Sequence, residues 1–257
     1  DERRADYQVI TCAVCHDPHD AANPGQLRIF DSVVLPDGTD VSGAGAAATC
    51  MTCHNARTDP VASVEGESLS LPHYSTAAEM MAGTGAYTWG EVLPTGTHGF
   101  VVDQTCVGCH MAESGDESAE GHAIVGGHTF AMNSPVDGSE NVAVCQECHM
   151  GVESFAFEAS GDYDGDGAVE TGPEEIDGLV ELLSAALTDA GVEILESRPY
   201  FNLPEGAGTE LKGAAYNIKF ATSGGAASHN FVYTVAALQL SYEMVTGEPV
   251  PNADPMQ

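Results

Sequence analysis

The sequence predicts a mainly α-helical fold with much irregular structure and few short strands, and three observations support this class. Residues 1–150 are interrupted by Gly, Ala, Pro and Asp with little sustained periodicity, whereas residues 151–257 carry clear helical patterns. The hydrophobic fraction of 43% is ordinary, but it is rich in alanine and only 7% of the chain is aromatic. The chain therefore has few large apolar side chains with which to fill the core of a 257-residue protein. We expect another apolar group to fill part of the interior.

The first half of the chain contains few predicted elements. Residues 26–41 alternate in polarity around Pro36-Asp37-Gly38, a pattern typical of a small hairpin. Residues 77–82 predict a short helix, and we expect further short helices after each of the cysteine motifs described below.

The second half predicts two longer helices. Residues 173–190 place apolar side chains on one stripe, with Pro173 at the start and Gly191 at the end. A second, apolar helix is predicted from His229 to about Thr246, with Ser228 as its N-cap and Gly247 as its stop. Residues 192–223 between them are ambiguous and predict short strands or loops. We expect both helices to pack on the first half, with His229 pointing inward.

The charge balance excludes two classes of partner. The chain has 39 acidic and 7 basic residues, a formal net charge of −32. Nucleic acid and anionic membrane surfaces both require clustered Lys and Arg, and only Arg3 and Arg4 stand together. No run approaches the roughly 20 apolar residues of a membrane span. The N-terminus lacks the apolar region of a signal peptide, so we expect residue 1 to be a mature terminus after export.

All eight cysteines fall in four C-x-x-C-H motifs. This is the attachment signature of c-type haem, because two thiols three positions apart can bond to the two vinyl groups of a porphyrin while the next imidazole binds the iron. The sequence therefore predicts four covalent haems. The predicted attachment residues are Cys12, Cys15, Cys50, Cys53, Cys106, Cys109, Cys145 and Cys148, and the predicted proximal ligands are His16, His54, His110 and His149.

Three other uses of paired cysteines explain this pattern less well. Structural zinc sites do not need a histidine after every second cysteine. A thioredoxin-like dithiol is expected once, near a βαβ pattern that is absent from the sequence around these motifs. A disulfide within a C-x-x-C motif would close a loop too small to cross-link distant parts of the fold.

Six further histidines can supply the other axial position of each iron: His19, His73, His98, His122, His128 and His229. Four are needed, so every haem can be bis-histidine and closed to substrate. His122 stands among Glu and Gly and is the expected spare. His19 lies three residues after His16, which places both rings on one side of a turn. If His19 is a ligand, it must serve a different haem, in this subunit or in another one.

An acidic loop at residues 162–167 is a candidate calcium site. Asp162, Asp164 and Asp166 occupy positions 1, 3 and 5 of a calcium-loop pattern, Gly167 occupies position 6 and Glu170 position 9. Position 12 is Pro173 rather than Glu, so a strict EF-hand is not predicted. The alternative is an acidic glycine-rich turn that binds no ion.

Several phrases in the sequence resemble the multihaem c-type cytochromes, and in particular the extracellular tetrahaem cytochromes that polymerise into nanowires. They are Cys-His-Asp-Pro-His at 15–19, Cys-His-Met at 109–111, Gly-His-Thr-Phe at 127–130 and His-Asn at 229–230. The resemblance is more distant to relatives of cytochrome c nitrite reductase. It implies closely stacked bis-histidine haems, with an axial histidine given by one subunit to a haem of the next. His19 is the position that matches this role.

The sequence thus favours a non-enzymatic electron carrier built around four stacked haems, exported to the periplasm or cell exterior and polymerised into a conductive filament. Its partners would be other copies of itself and a redox partner or external electron acceptor. Residues 1–150 would bind the haems, and residues 151–257 would form a helical region packed on them. One alternative is a monomeric periplasmic electron shuttle. Another is a reductase of nitrite or hydroxylamine, against which the surplus of histidine and the scarcity of Arg and Lys argue.

Overall fold

A computed structural model describes residues 10–114 and 124–256, so Arg3, Arg4 and His122 lie outside the described residues. The described residues are mainly helical, with two small two-stranded sheets and much irregular structure, which confirms the predicted fold class. Helices α1–α9 span Cys12–Cys15, Ala47–Met51, Pro60–Glu65, Ala77–Ala82, His98–Val101, Cys106–His110, Gly172–Asp189, Thr209–Ala221 and Ala226–Thr246. Strands β1–β4 span Ser32–Val34, Asp40–Ser42, Glu193–Ile194 and Phe201–Asn202. Short 3-10 helices cover Pro24–Gln26, Gly127–Thr129 and Cys145–Glu147.

The predicted hairpin is formed by β1 and β2. The strands are antiparallel, Val33 lies opposite Val41, and Gly38 supplies a positive φ of 86° in the connection. The first strand begins at Ser32 rather than at Gln26, because the 3-10 helix at Pro24–Gln26 occupies the start of the predicted segment.

Helix α7 confirms the predicted amphipathic helix, shifted by one residue. Thr171 and Glu174 form a capping box, in which the Thr171 backbone N–H donates to Glu174 Oε2 at 3.0 Å. Leu179, Leu183 and Leu187 are completely buried on one face. Burial of each leucine side chain stabilises the fold by roughly 2 kcal/mol.

Helix α8 was not predicted, since residues 192–223 gave no clear pattern as a whole. A helical signal is nevertheless present, because Leu211, Ala214, Ala215 and Ile218 follow the i, i+3, i+4, i+7 spacing. The small side chains Ala214 and Ala215 are fully buried, as is Phe220 near the C-terminal end of the helix.

Helix α9 differs from the prediction at its N-terminus. It begins at Ala226 with Gly225 as N-cap, so Ser228 lies inside the helix and does not cap it. The helix is interrupted at Asn230, whose φ of −163° and ψ of 79° are not helical. Its predicted end is confirmed, with Gly247 as C-cap in the left-handed region.

The main core cluster is formed by helices α7, α8 and α9 together with residues from the first half of the chain. Leu183 of α7, Phe220 of α8 and Leu238 of α9 belong to it, and so do Met80 and Ala86. A smaller cluster around Leu35, Ala47, Ala48 and Met51 packs the hairpin against α2 and α4. Among the described residues, no helix is both long and apolar enough to cross a membrane.

Candidate haem-binding site

The attachment motifs fold as tight turns. Short helices were expected after each motif, but after the fourth motif the next helix, α7, begins only at Gly172. Helix α1 and helix α6 lie on the first and third motifs themselves. In the first, second and fourth motifs the backbone N–H of the histidine donates to the carbonyl of the first cysteine, at 2.7–2.9 Å. This shared bond closes the turn, so each motif holds its two thiols and its imidazole within one turn of backbone.

The four motifs are neighbours in the order of the chain. Burial raises the pKa of the Cys15 thiol, with smaller contributions from Cys50 and Cys53 of the second motif. A hydrogen bond from the Cys106 thiol lowers the pKa of Cys50 to about 7, so the second and third motifs are in direct contact. Burial raises the pKa of Cys109, and Cys145 of the fourth motif adds to the rise.

Among the residues that the structure describes, three of the four motif histidines face a second histidine ring. The ring centroids of His16 and His128 are 6.1 Å apart, those of His149 and His98 are 5.9 Å apart, and those of His110 and His229 are 6.2 Å apart. A metal held between two imidazoles by metal–nitrogen bonds of about 2.0 Å places the ring centroids roughly 6 Å apart. The observed separations therefore fit an iron between each pair of rings.

Hydrogen bonds to the backbone orient three of these rings. The Nδ1 atoms of His98 and His110 lie 3.0 and 2.9 Å from the carbonyl oxygens of Ser228 and Phe130, and His16 Nδ1 bonds the carbonyl of Gly25. An imidazole that donates from Nδ1 to a carbonyl is left with an unprotonated Nε2, the form that binds a metal. The accepting carbonyls have no signature in the sequence, so sequence reasoning did not find them.

The ring of His229 is held neutral by its surroundings. Burial, followed by the charges of His110 and His98, lowers its pKa to about 4. Within the described part of the chain, its buried Nδ1 has no hydrogen-bond partner. Gly225 makes room for this ring, since a Cβ there would stand 2.7 Å from His229 Cε1.

Apolar side chains beside the paired histidines are exposed to solvent. Phe100, Val101 and Phe130 follow axial candidates closely and are 71%, 66% and 47% exposed, and Met150 beside His149 is 93% exposed. An apolar macrocycle between the rings would cover such side chains. Ring separations, Nδ1 bonding and exposed apolar neighbours thus all fit haem, for which these histidines would supply axial ligands and the cysteines thioether bonds. When bound, haem supplies an iron that exchanges single electrons.

His54, His19 and His73 differ from the other candidates. Among the described residues, neither His54 nor His19 is paired with another histidine ring, and both are exposed. His73 instead packs on Tyr74, with ring centroids 4.0 Å apart, and burial followed by the charges of Arg57 and Arg198 lowers its pKa.

Two glycines near the axial candidates lie close to the backbone of other segments. A Cβ on Gly99 would clash with the Met81 carbonyl oxygen, and one on Gly126 would clash with that of Ala112. These two glycines allow close backbone crossings beside His98 and His128. Gly127, by contrast, faces open space.

The acidic loop brings three of its four predicted residues together. One carboxylate oxygen from each of Asp162, Asp164 and Asp166 lies within 4.8 Å of the others. Glu170 is not part of this group, and its backbone N–H donates to the buried carboxylate of Glu175 at 3.0 Å. The Glu175 carboxylate also accepts from the N–H groups of Tyr163 and Asp164, so it fixes the backbone of the loop at three points. Burial raises the pKa of Asp164, and the neighbouring carboxylates add to the rise.

Comparison with known proteins gives one family match. Residues 6–59, which contain the first two attachment motifs, match the family described as the doubled CXXCH motif. Neither the comparison with curated proteins nor that with solved structures gives a match. The family match and the two further motifs support a multihaem c-type cytochrome that binds haem c covalently and transfers electrons.

Proposed function

We propose that the protein is a tetrahaem electron carrier whose subunits assemble into an extracellular conductive filament. Four haems are attached through the eight cysteines, with His16, His54, His110 and His149 as proximal ligands. Haem attachment takes place outside the cytoplasm, which favours a periplasmic or extracellular location. Residues 1–150 are the haem-binding region, and residues 151–257 support it and supply His229.

Three irons take both axial ligands from one chain. The ring separations support this proposal, with His128 as second ligand of the His16 haem, His229 of the His110 haem and His98 of the His149 haem. Irons with two protein ligands have no open position for a substrate, which supports electron transfer rather than reduction of an oxyanion.

The rings of His54 and His19, which face no other histidine ring within residues 10–114 and 124–256, carry the filament proposal. His54 needs a partner, and among the described residues no second ring faces it, while His19 is exposed and without a ring partner. Because His19 cannot clamp the haem of its own motif, it would complete the His54 haem of an adjoining subunit. Such a metal bond stabilises end-to-end contact between chains that otherwise repel each other.

The contacts between motifs support a continuous electron path. Cys15 lies near Cys50 and Cys53, Cys50 contacts Cys106, and Cys109 lies near Cys145, so neighbouring haem edges would lie close together. Electrons would then pass through the haems in the order in which the motifs occur in the chain, with the His54 haem as the point where another subunit joins.

The acidic loop is the proposed ion site of this assembly. Asp162, Asp164 and Asp166 offer three oxygens close together, as a divalent cation such as calcium requires. Pro173 occupies position 12 of the calcium-loop pattern and offers no carboxylate. The next two residues, Glu174 and Glu175, are engaged in the capping box and in backbone hydrogen bonds, respectively. Water or backbone carbonyls would therefore complete the coordination.

Two substitutions separate the filament from the monomeric shuttle. In His19→Ala, we expect four attached haems, one of them partly high-spin, and short or absent filaments by electron microscopy in high salt. In the matched variant His73→Ala, we expect low-spin haems and normal filaments. The reverse result would make His73 the ligand of the His54 haem and favour the shuttle. Carbon monoxide binding to the unmodified protein would favour the reductase.

A further inference from the structure

The side chain of Asn230 is fully hydrogen-bonded in the interior. It is 3% exposed. Its Oδ1 accepts from the backbone N–H groups of Gly96 and Tyr233 at 2.8 and 3.1 Å. Its Nδ2 donates to the Met80 carbonyl and to Thr95 Oγ1, each at 2.8 Å. Both donors and both acceptor positions of the carboxamide are thus in use.

These bonds connect the segment that carries His98 to the segment that carries His229. Gly96 and Thr95 lie two and three residues before His98, where helix α5 begins, and Asn230 directly follows His229. A second bond links the same two segments, because His98 Nδ1 donates to the carbonyl of Ser228 at 3.0 Å. The helical turn that bears His229 ends at Asn230, whose backbone leaves the helical conformation there.

We infer that Asn230 is a positioning residue that fixes His98 and His229 relative to each other, and so sets the axial ligands of two haems with one carboxamide. The inference rests on the proposed ligand roles of these histidines, since His98 faces His149 and His229 faces His110. Asparagine suits the role because it donates and accepts on the same short side chain. Aspartate would lose both donated bonds, and alanine would leave the Gly96 N–H and the Met80 carbonyl without this partner.

The test is the spin state of the holoprotein with Asn230→Ala. We expect four attached haems by intact mass and by the pyridine haemochrome assay. We also expect one or two of the four irons to gain a high-spin electron paramagnetic resonance signal and to bind carbon monoxide, because their distal histidine is no longer held in place.

Asn217 offers a matched control. It is 1% exposed, its Oδ1 accepts from the Tyr87 N–H at 2.8 Å, and its Nδ2 donates to the Tyr87 carbonyl and to Ser241 Oγ. None of these partners adjoins a proposed axial ligand. Asn217→Ala should lower the unfolding temperature while all four haems stay low-spin.

A gentler variant covers the case in which Asn230→Ala does not fold. The Cβ of Gly96→Ala would stand 3.0 Å from Asn230 Oδ1 and would push the two segments apart without removing the carboxamide. We expect a smaller high-spin fraction in this variant than in Asn230→Ala.

The outcomes are distinguishable. If the unmodified protein binds carbon monoxide, the proposed ligation is wrong. If it is closed and the variants at positions 230 and 96 stay fully low-spin, only the positioning role is overturned. A high-spin signal in Asn217→Ala of equal size would show a general effect of core damage, and would also overturn that role.

Discussion

The imidazole rings of His98 and His149 face each other at 5.9 Å with their planes almost perpendicular, at 84°. The rings of His110 and His229 have nearly the same separation but are inclined by only 29°. The relative orientation of two axial imidazoles controls the splitting of the iron d orbitals. Perpendicular planes leave two of these orbitals close in energy, whereas parallel planes separate them.

The first prediction is therefore that the oxidised protein gives two kinds of low-spin signal in electron paramagnetic resonance. The His98–His149 haem should give the strongly anisotropic signal of perpendicular ligands, and the His110–His229 haem the rhombic signal of near-parallel ones. Substitution His98→Ala should remove the first signal and leave the second. Loss of the rhombic signal instead would show that the pairs are assigned incorrectly.

The second prediction concerns His128, which faces His16 within the same chain. His128→Ala should keep four attached haems, because no thioether is touched, but should open one iron. We expect one high-spin haem in four and a carbon monoxide adduct in the reduced spectrum. Filaments should still form, in contrast to His19→Ala, because the missing ligand is not at a subunit contact. A closed, fully low-spin variant would remove His128 from the ligand set.

The four C-x-x-C-H motifs are visible in the sequence, whereas the pairing of the histidine rings could not be predicted from it. A C-x-x-C-H motif is a local pattern whose chemistry depends on five consecutive residues. The pairing of His110 with His229, by contrast, joins residues 119 positions apart in the chain, which no local pattern specifies. The break at Asn230 was missed for the same reason, because its partners Gly96 and Met80 are distant in sequence.

Helices were predictable where their ends carried signals. Helix α7 has Pro173, a capping box and a terminal glycine, and its bounds were nearly right. Helix α8 begins after Gly208 and has no side-chain cap. Many of its buried residues are small, so the segment has a helical spacing of apolar residues but a low overall hydrophobicity. The burial that stabilises α8 comes from neighbouring helices and is not encoded in the segment itself.

The third prediction tests the acidic loop. Close carboxylates repel each other unless a cation lies between them, so calcium should raise the unfolding temperature of the holoprotein and a chelator should lower it. Asp164→Asn should abolish most of this response at constant ionic strength. The control Asp189→Asn removes the same charge from the exposed end of α7 and should keep the response. Equal responses in all three proteins would show a general charge effect and no specific ion site.

The last prediction concerns the buried carboxyl group of Glu79, which lies outside the predicted ligand set. The side chain is 1% exposed, Oε1 accepts from the Ala56 N–H at 2.8 Å, and Oε2 has no partner among the described residues. Burial raises its pKa from 4.5 to about 7, against the opposing effect of the Ala56 hydrogen bond. The folded protein therefore holds this proton at a pH where the unfolded chain has lost it.

The free energy of unfolding should consequently fall as the pH rises from about 4.5 to about 7, and the lost stability should amount to about 3 kcal/mol above that range. Glu79→Gln stays neutral at every pH, so its unfolding free energy should lack this slope and should exceed that of the unmodified protein most clearly above pH 7. Denaturant unfolding of the holoprotein between pH 4 and 9, at constant salt, measures both curves. Glu67 is exposed, so the control Glu67→Gln should keep the pH slope of the unmodified protein's unfolding free energy. If Glu79→Gln shows the same slope as this control, Glu79 is ionised in the folded protein and the prediction is wrong.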